Sequence, residues 1–271
     1  GGCTCRHLRY AATLTAKRQR VSDAFQRIGK MEIAVPPVLG MSSPEACRNK
    51  ASLPAGGTAD HPVLGFYAPR SHRVIPADFC PNAMPPIPSL TQAFLSWMKD
   101  FHIPPYNEVS HTGLIRHLVI RANREGSAIV TVVINGDRLP HVKELRFRLE
   151  PLGAVGLSLN INTASTNLIL SQCFRSVYGP ESLSAMLCGL AFNLSPGAFF
   201  QVNPFQTEIL YRKALEFAAL TPDDTVCDVY CGAGTISLMM ARSCRQVIGI
   251  ELIPAAVENA RMNALRNHIE N

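Results

Sequence analysis

The chain has 271 residues, 47% of them hydrophobic and 17% charged, with a formal net charge of +6. This is the length of about two domains, and the composition excludes disorder and collagen. No run approaches the ~20 consecutive apolar residues of a membrane span and the arginine-rich start lacks the apolar core of a signal peptide, so a cytoplasmic, monomeric protein without a membrane partner is expected.

From Leu8 to Ile28 apolar residues recur at three- and four-residue steps with Lys17, Arg18, Arg20 and Arg27 between them, which predicts a basic amphipathic helix ended by Gly29. Between Met31 and His61 the turn formers Pro36-Pro37, Ser42-Ser43-Pro44 and Gly56-Gly57 predict short strands between turns. Val63 to Tyr67 reads as a strand. After the proline-rich connector Pro81 to Pro88, Ser89 is placed to cap a helix through Phe94, Trp97, Met98 and Phe101, whose large side chains belong to a core. Leu114 to Ala122, Ala128 to Asn135 and Val155 to Asn162 are β-branched and apolar, with turns at Gly126 and Asn135-Gly136. They predict an antiparallel sheet, with a helix at Val142 to Leu149.

The period changes after Ser195. Helices over Gln206 to Leu220, Gly234 to Arg242 and Pro254 to Asn267 alternate with strands over Thr225 to Tyr230 and Val247 to Glu251, and this alternation means a parallel sheet. Two parallel strands are too few for a doubly wound sheet, the first residue is Gly1 rather than methionine, and the helical pattern runs into Asn271. The chain therefore reads as a fragment whose second domain is cut short.

Asp228-Val-Tyr-Cys-Gly-Ala-Gly234 lies where a strand turns into a helix, and Glu251 ends the following strand. Gly232 and Gly234 let the backbone pass close to a ligand, and a carboxylate at the next strand tip can accept from both ribose hydroxyls, so this is nucleotide recognition. The dinucleotide fingerprint needs a third glycine where this chain has Ser237. Asp228, four residues before the first glycine, suits the amino group of S-adenosylmethionine better than a pyrophosphate. NAD is the alternative.

The run Ser195-Pro-Gly-Ala-Phe-Phe-Gln-Val-Asn203, then Gln206-Thr-Glu-Ile-Leu-Tyr211, then Asp228 to Leu238 resembles the RNA uridine-5 methyltransferases. His111-Thr-Gly-Leu-Ile-Arg-His117 and Arg48-Asn-Lys50 extend the resemblance over nearly the whole chain, towards the iron-sulfur branch that acts on 23S ribosomal RNA. The fold it implies is α/β: an α+β central domain (residues 1–194) with a partial iron-sulfur region and an RNA-facing surface, followed by the start of a Rossmann-like class I S-adenosylmethionine-dependent methyltransferase domain (residues 195–271). It implies that Gln201, Tyr230 and Glu251 contact S-adenosylmethionine, with Gly232 and Gly234 in the same loop. It also implies a 4Fe-4S cluster in the full-length protein. Cys3 and Cys80 match two of its four ligands, the other two preceding Gly1; four thiolates are required.

The reaction implied is methylation of uridine C5, with 23S ribosomal RNA preferred and transfer RNA as the alternative. Uracil C5 becomes nucleophilic once a cysteine thiolate adds to C6, and a base then removes the C5 proton. In the family both groups lie well downstream of the ribose-binding glutamate, so none of the nine cysteines is nominated as catalytic. Cys173, Cys188, Cys227 and Cys244 read as packing residues. A catalytically inactive S-adenosylmethionine- or RNA-binding fragment is the further alternative. Lys17, Arg18, Arg20, Arg48, Lys50, Arg70, His72, Arg73, Arg116 and Arg121 are candidates for phosphate contacts.

Overall fold

A computed structural model describes residues 5–77 and 80–271. The chain divides into two units, residues 1–45 and 46–271.

In the first unit, α1 (Tyr10–Asp23) runs into a π-helical turn over Ala24–Ile28. No residue of either is buried. The expected apolar stripe thus forms a helix without forming a core: Val21, Phe25 and Ile28 stay exposed. Leu14 packs on Gly40, and two polar contacts also tie the following segment to the helix. Arg18 Nε donates to the Val35 carbonyl at 2.7 Å, and the Met41 N–H donates to the Tyr10 hydroxyl at 2.7 Å.

The second unit is built on a seven-stranded sheet of order β3-β2-β1-β4-β5-β6-β7. Its strands are β1 (Lys50–Gly57), β2 (Pro62–Tyr67), β3 (Val74–Pro76), β4 (Ile115–Ala122), β5 (Ala128–Ile134), β6 (Ala154–Ile161) and β7 (Phe174–Tyr178). The antiparallel expectation holds except between β5 and β6, which are parallel. The reason lies between them: α3 (Val142–Leu149) supplies the crossover that a parallel pair needs. β1 also corrects the reading of 31–61 as short strands. It pairs with β4 through Lys50–Pro54 and with β2 through Ala55–Gly57, so Pro54 sits where the strand changes partners and its missing N–H is tolerated. Before it, residues 30–47 form no strand.

Helix α2 (Ile87–Asp100) and α3 cover one sheet face. Phe94, Trp97 and Met98 are fully buried there against Leu118, Val130 and Leu157, as expected for a core. Ser89 is not the cap: α2 begins two residues earlier, and the Ser89 hydroxyl donates back to the Pro86 carbonyl at 2.9 Å.

The opposite face alternates out of that core and carries buried His117, Arg121, Thr131, Ser158 and Asn160 and half-buried Ser52 among the apolar Val119, Ile129 and Val133. Thr131 and Ser158 share a hydrogen bond of 2.9 Å, and the Asn160 amide donates to the Ser171 carbonyl at 3.0 Å. His117 is 6% exposed, and burial, with the neighbouring Arg116 charge, pulls its pKa down to about 4. The folded-state value lies below the unfolded one, so between pH 6.5 and 4 the unfolded chain binds the extra proton and stability falls as pH falls. His117→Gln should flatten the denaturant midpoint over that range, removing a swing of up to about 3 kcal/mol. Equal pH dependence in the two proteins would contradict it.

A second core forms from the hairpin of β8 (Leu183–Leu187) and β9 (Leu190–Leu194) with α4 (Pro204–Ala218) and α5 (Thr235–Ala241). The parallel pair β10 (Thr225–Val229) and β11 (Gln246–Ile250) and helix α6 (Pro254–Arg266) complete this part. The strand–helix alternation expected after Ser195 is present, and the architecture is mixed α/β. β7, β8 and β9 have no counterpart among the strands expected from the sequence. Asn203 caps α4, its side chain accepting from the Gln206 N–H at 3.1 Å, with Pro204 in the first turn. The Asn-Pro pair is the signal that starts this helix before Gln206.

Candidate cofactor-binding site

The site grows from the end of β10. Asp228 is its penultimate residue, and the chain then turns through Tyr230, Gly232 and Gly234, all at positive φ (68°, 56° and 78°), before entering α5. A Cβ on Gly232 would meet nothing within 4 Å, so the backbone there borders open space, although its left-handed φ still favours glycine. The turn is closed by the Gly234 N–H donating to the Cys231 carbonyl at 2.9 Å.

Glu251, just past β11, reaches back to this loop. Its Oε2 accepts from the Gly232 N–H at 3.0 Å, and its Oε1 accepts from the Ile253 N–H at 2.9 Å. These backbone donors, Ile253 first, hold the carboxyl below its usual range. Each carboxylate oxygen has a further lone-pair site for a ligand hydroxyl. The carboxylate acceptor therefore fits the two hydroxyls of a ribose, with the loop fixed against the group that would hold it.

Ser237, which replaces the third glycine of a dinucleotide fingerprint, donates its hydroxyl to the Asp228 carboxylate. At the start of α5, Thr235 shares a 2.8 Å hydrogen bond with the Tyr211 hydroxyl of α4, whose pKa burial raises. Tyr230 is 85% exposed, not a core aromatic. Gln201 lies half-buried in the run between β9 and α4, and its carbonyl accepts from the Asn49 side chain at 3.1 Å. The Arg121 guanidinium, 1% exposed, donates to the Ala198 carbonyl of the same run. Gly232 and Glu251 are thus joined directly, with Tyr230 and Gly234 in the same loop. Gln201 is held on the sheet side.

Asn263 is a further residue that positions the loop. Fully buried on α6, it accepts from the Asn193 N–H of β9 at 2.9 Å and donates to the Ala233 carbonyl of the glycine loop at 3.1 Å. An asparagine within a helical pattern offers no sign of this. Only the packing of α6 against both segments gives it two partners.

Cys3 lies outside the described residues. Cys80 is half-buried, beside Arg48 and Ala77 at a small cavity. Among the described residues no three His, Cys, Asp or Glu side chains are grouped to hold a metal. The described residues by themselves do not form a cluster site. The packing role expected for four cysteines needs correction: Cys244 is buried, whereas Cys173 and Cys227 are exposed, because alternate residues of β10 leave the core and Cys173 lies on a surface loop. Burial, with Asp228 and Glu251 nearby, pushes the Cys231 thiol up, the reverse of an activated thiolate.

Two of the ten phosphate candidates are also corrected. Arg116 and Arg121 are 3% and 1% exposed and are directed at backbone carbonyls, Arg116 at those of Asn162 and Ala164. β4 is buried along its whole length, with Arg116 at an irregularity between Ile115 and His117, so neither side chain meets water, which a list of charges does not show. Burial, then the Arg121 and Arg48 charges, lowers Lys50 to about 8. Arg48, Arg70, His72 and Arg73 are exposed. Among the described residues no helix is long and apolar enough to cross a membrane.

Residues 220–271 match the family model described as a methyltransferase domain. The whole chain is similar to a protein of Clostridium acetobutylicum described as an uncharacterized RNA methyltransferase, 40% identical over 277 residues that make up 60% of that protein. Proteins of the same description from Clostridium tetani (38% identical, 60% covered) and Caldanaerobacter subterraneus subsp. tengcongensis (39%, 61%) are similar in the same way. The chain thus spans about 60% of the length of these relatives. Among solved structures, the Pyrococcus abyssi tRNA (uracil-54, C5)-methyltransferase in complex with S-adenosyl-L-homocysteine superposes on the whole chain with a TM-score of 0.80, at 24% identity and 63% of its own length. At that identity the likeness is one of fold.

Proposed function

We propose that this chain carries the central and cofactor-binding parts of an S-adenosylmethionine-dependent RNA uridine-5 methyltransferase. The observation that carries the reading is the clasp of Glu251 on the Gly232 N–H at the tip of two parallel strands. The match of residues 220–271 to a methyltransferase domain and the RNA methyltransferase relatives support it. S-adenosylmethionine, when bound, supplies an electrophilic methyl group. Glu251 would accept from the ribose hydroxyls, Gly232 and Gly234 would let the backbone lie against the nucleoside, and exposed Tyr230 would offer it a ring. Asp228, which also accepts from the Ser237 hydroxyl, would take the amino group, and Gln201 would contribute from the run between β9 and α4.

The substrate in this reading is uridine in RNA. The resemblance of Gly1-Gly2-Cys3 to the end of the family's cluster element favours 23S ribosomal RNA and a 4Fe-4S cluster held in part by Cys3 and Cys80; the substrate named for the Pyrococcus abyssi fold relative favours transfer RNA as the second reading. A cysteine adduct at uracil C6 belongs to the proposal, and Cys231, with its raised pKa, is not its nucleophile. The test is transfer of a labelled methyl group to 23S ribosomal RNA and to transfer RNA by a protein containing these 271 residues, beside calorimetric titration of S-adenosylmethionine and NADH. Label in uridine C5 of one RNA, with S-adenosylmethionine bound and NADH ignored, is the expected result. Binding of NADH alone would overturn it.

A further inference from the structure

At the end of β1 away from the cofactor loop lies a cavity of about 480 Å³, between strands β1–β3 and the loop at residues 106–109. Asn49, which bonds Gln201, immediately precedes β1, and Gly56, which lines this cavity, lies near its far end, seven residues on or about 23 Å at ~3.3 Å per residue. The two sites are therefore separate.

Its chemistry is specific. Glu108 lies 3.8 Å from the buried Arg116 guanidinium, its side chain 22% exposed. It is also hydrogen-bonded to Tyr67, whose hydroxyl is raised to about 12 by burial and by that carboxylate. Arg116 in turn lies 4.5 Å over the Tyr106 ring, and the Tyr106 hydroxyl is held by His111 at 2.7 Å. Glu108 is thus an oriented, charge-compensated acceptor, so it does not repel a polyanion as a lone carboxylate would. Tyr67 is met at 82° by His72 and at 78° by His117, and among the described residues no ring stacks on it. His72 and Arg73 stand exposed at the rim. Arg73 makes no ion pair with any described residue.

We propose that this cavity binds a guanosine nucleotide of the RNA substrate, with the base edge on Glu108, the base against Tyr67, and the phosphate at Arg73 and His72. The RNA origin of the nucleotide rests on the proposed uridine methyltransferase function; the choice of base does not. A carboxylate only accepts hydrogen bonds. Guanine alone among the four bases presents two adjacent N–H donors, N1–H and the N2 amino group, on its Watson–Crick edge. Uracil N3–H is flanked by two carbonyls, and adenine and cytosine set one amino group beside a ring-nitrogen acceptor. An unpaired base splayed onto an aromatic ring and read on that edge is the usual mode of single-stranded RNA recognition.

The test titrates the 5′-monophosphates of guanosine, adenosine, cytidine and uridine, and inorganic phosphate, into the chain and into Glu108→Gln and Arg73→Ala. Guanosine monophosphate should bind at least roughly tenfold tighter than the other three, in line with one bidentate pair. Glu108→Gln should abolish that preference, and Arg73→Ala should weaken all four about equally while preserving it. Arg73 is exposed, so its variant decides the matter if Glu108→Gln does not fold, and retained S-adenosylmethionine binding reports the fold of each. Equal binding of all four nucleotides and phosphate, or a guanosine preference surviving Glu108→Gln, would overturn the site. A uridine hexanucleotide with one guanosine should compete with the mononucleotide; failure to compete would overturn the RNA assignment. S-adenosylmethionine binding without a guanosine preference sinks this inference alone, whereas a guanosine preference without S-adenosylmethionine binding sinks the proposed enzyme alone.

Discussion

Glu251→Ala should weaken S-adenosylmethionine binding by at least about 100-fold, the larger part of it through ligand bonds rather than through the fold. The carboxylate acts twice. It would accept from the two ribose hydroxyls, and each hydrogen bond to a charged acceptor is worth roughly tenfold or more in affinity. It also fixes the Gly232 and Ile253 N–H groups, so its removal loosens the backbone that would lie against the nucleoside. Glu251→Gln separates the two roles: an amide oxygen still accepts from one backbone N–H, but the NH₂ group now faces the other donor. Its binding loss should fall between those of the wild type and the alanine variant. Because backbone donors hold the Glu251 carboxyl below its usual range, wild-type affinity should stay level between pH 7 and pH 5. Undiminished affinity in Glu251→Ala by calorimetry would remove this residue from the site.

The strand-turn-helix at Asp228 to Gly234 and the acidic strand end at Glu251 were legible because local backbone demands fix residue types. Gly232 and Gly234 do adopt positive φ, and a carboxylate at a strand tip has few places to reach except the neighbouring loop. The core helix of Phe94, Trp97 and Met98 was legible for a similar reason: its periodicity carries the burial pattern directly. Sheet pairing was less so. Whether β6 runs parallel to β5 depends on the crossover through α3, a property of the connection and not of either strand. The exposed hairpin edges of β8, where Ser184 and Met186 face outward, dilute its apolar signal, and Cys188 and Gly189, both at positive φ, form a turn without the usual asparagine. Burial of charge was the least legible. Arg116 and Arg121 read as solvent-facing cations until β4 is placed in mid-sheet with both faces covered, which makes carbonyls their partners in place of water.

Asn263→Ala should lower stability by about 3 kcal/mol, since the Asn193 N–H and the Ala233 carbonyl each lose a partner. The cavity left by a truncated amide adds to the cost. The loss should appear in the unfolding transition that reports the second core, where β9, α4 and α5 pack, and spare the core around Trp97. Tryptophan fluorescence therefore separates the two, because Trp97 is the chain's single tryptophan. Loss of the bond to Ala233 also frees the loop between Gly232 and Gly234, so S-adenosylmethionine affinity should fall with stability. Excess ligand should restore part of the lost transition midpoint. Asn263→Asp keeps the acceptor for the Asn193 N–H but places a carboxylate oxygen against the Ala233 carbonyl, so it should be no more stable than the alanine variant at neutral pH. It should recover as pH falls and protonation restores a donor. A stability change under about 0.5 kcal/mol for Asn263→Ala, typical of a surface substitution, would show that the bridge between α6, β9 and the glycine loop holds nothing in place.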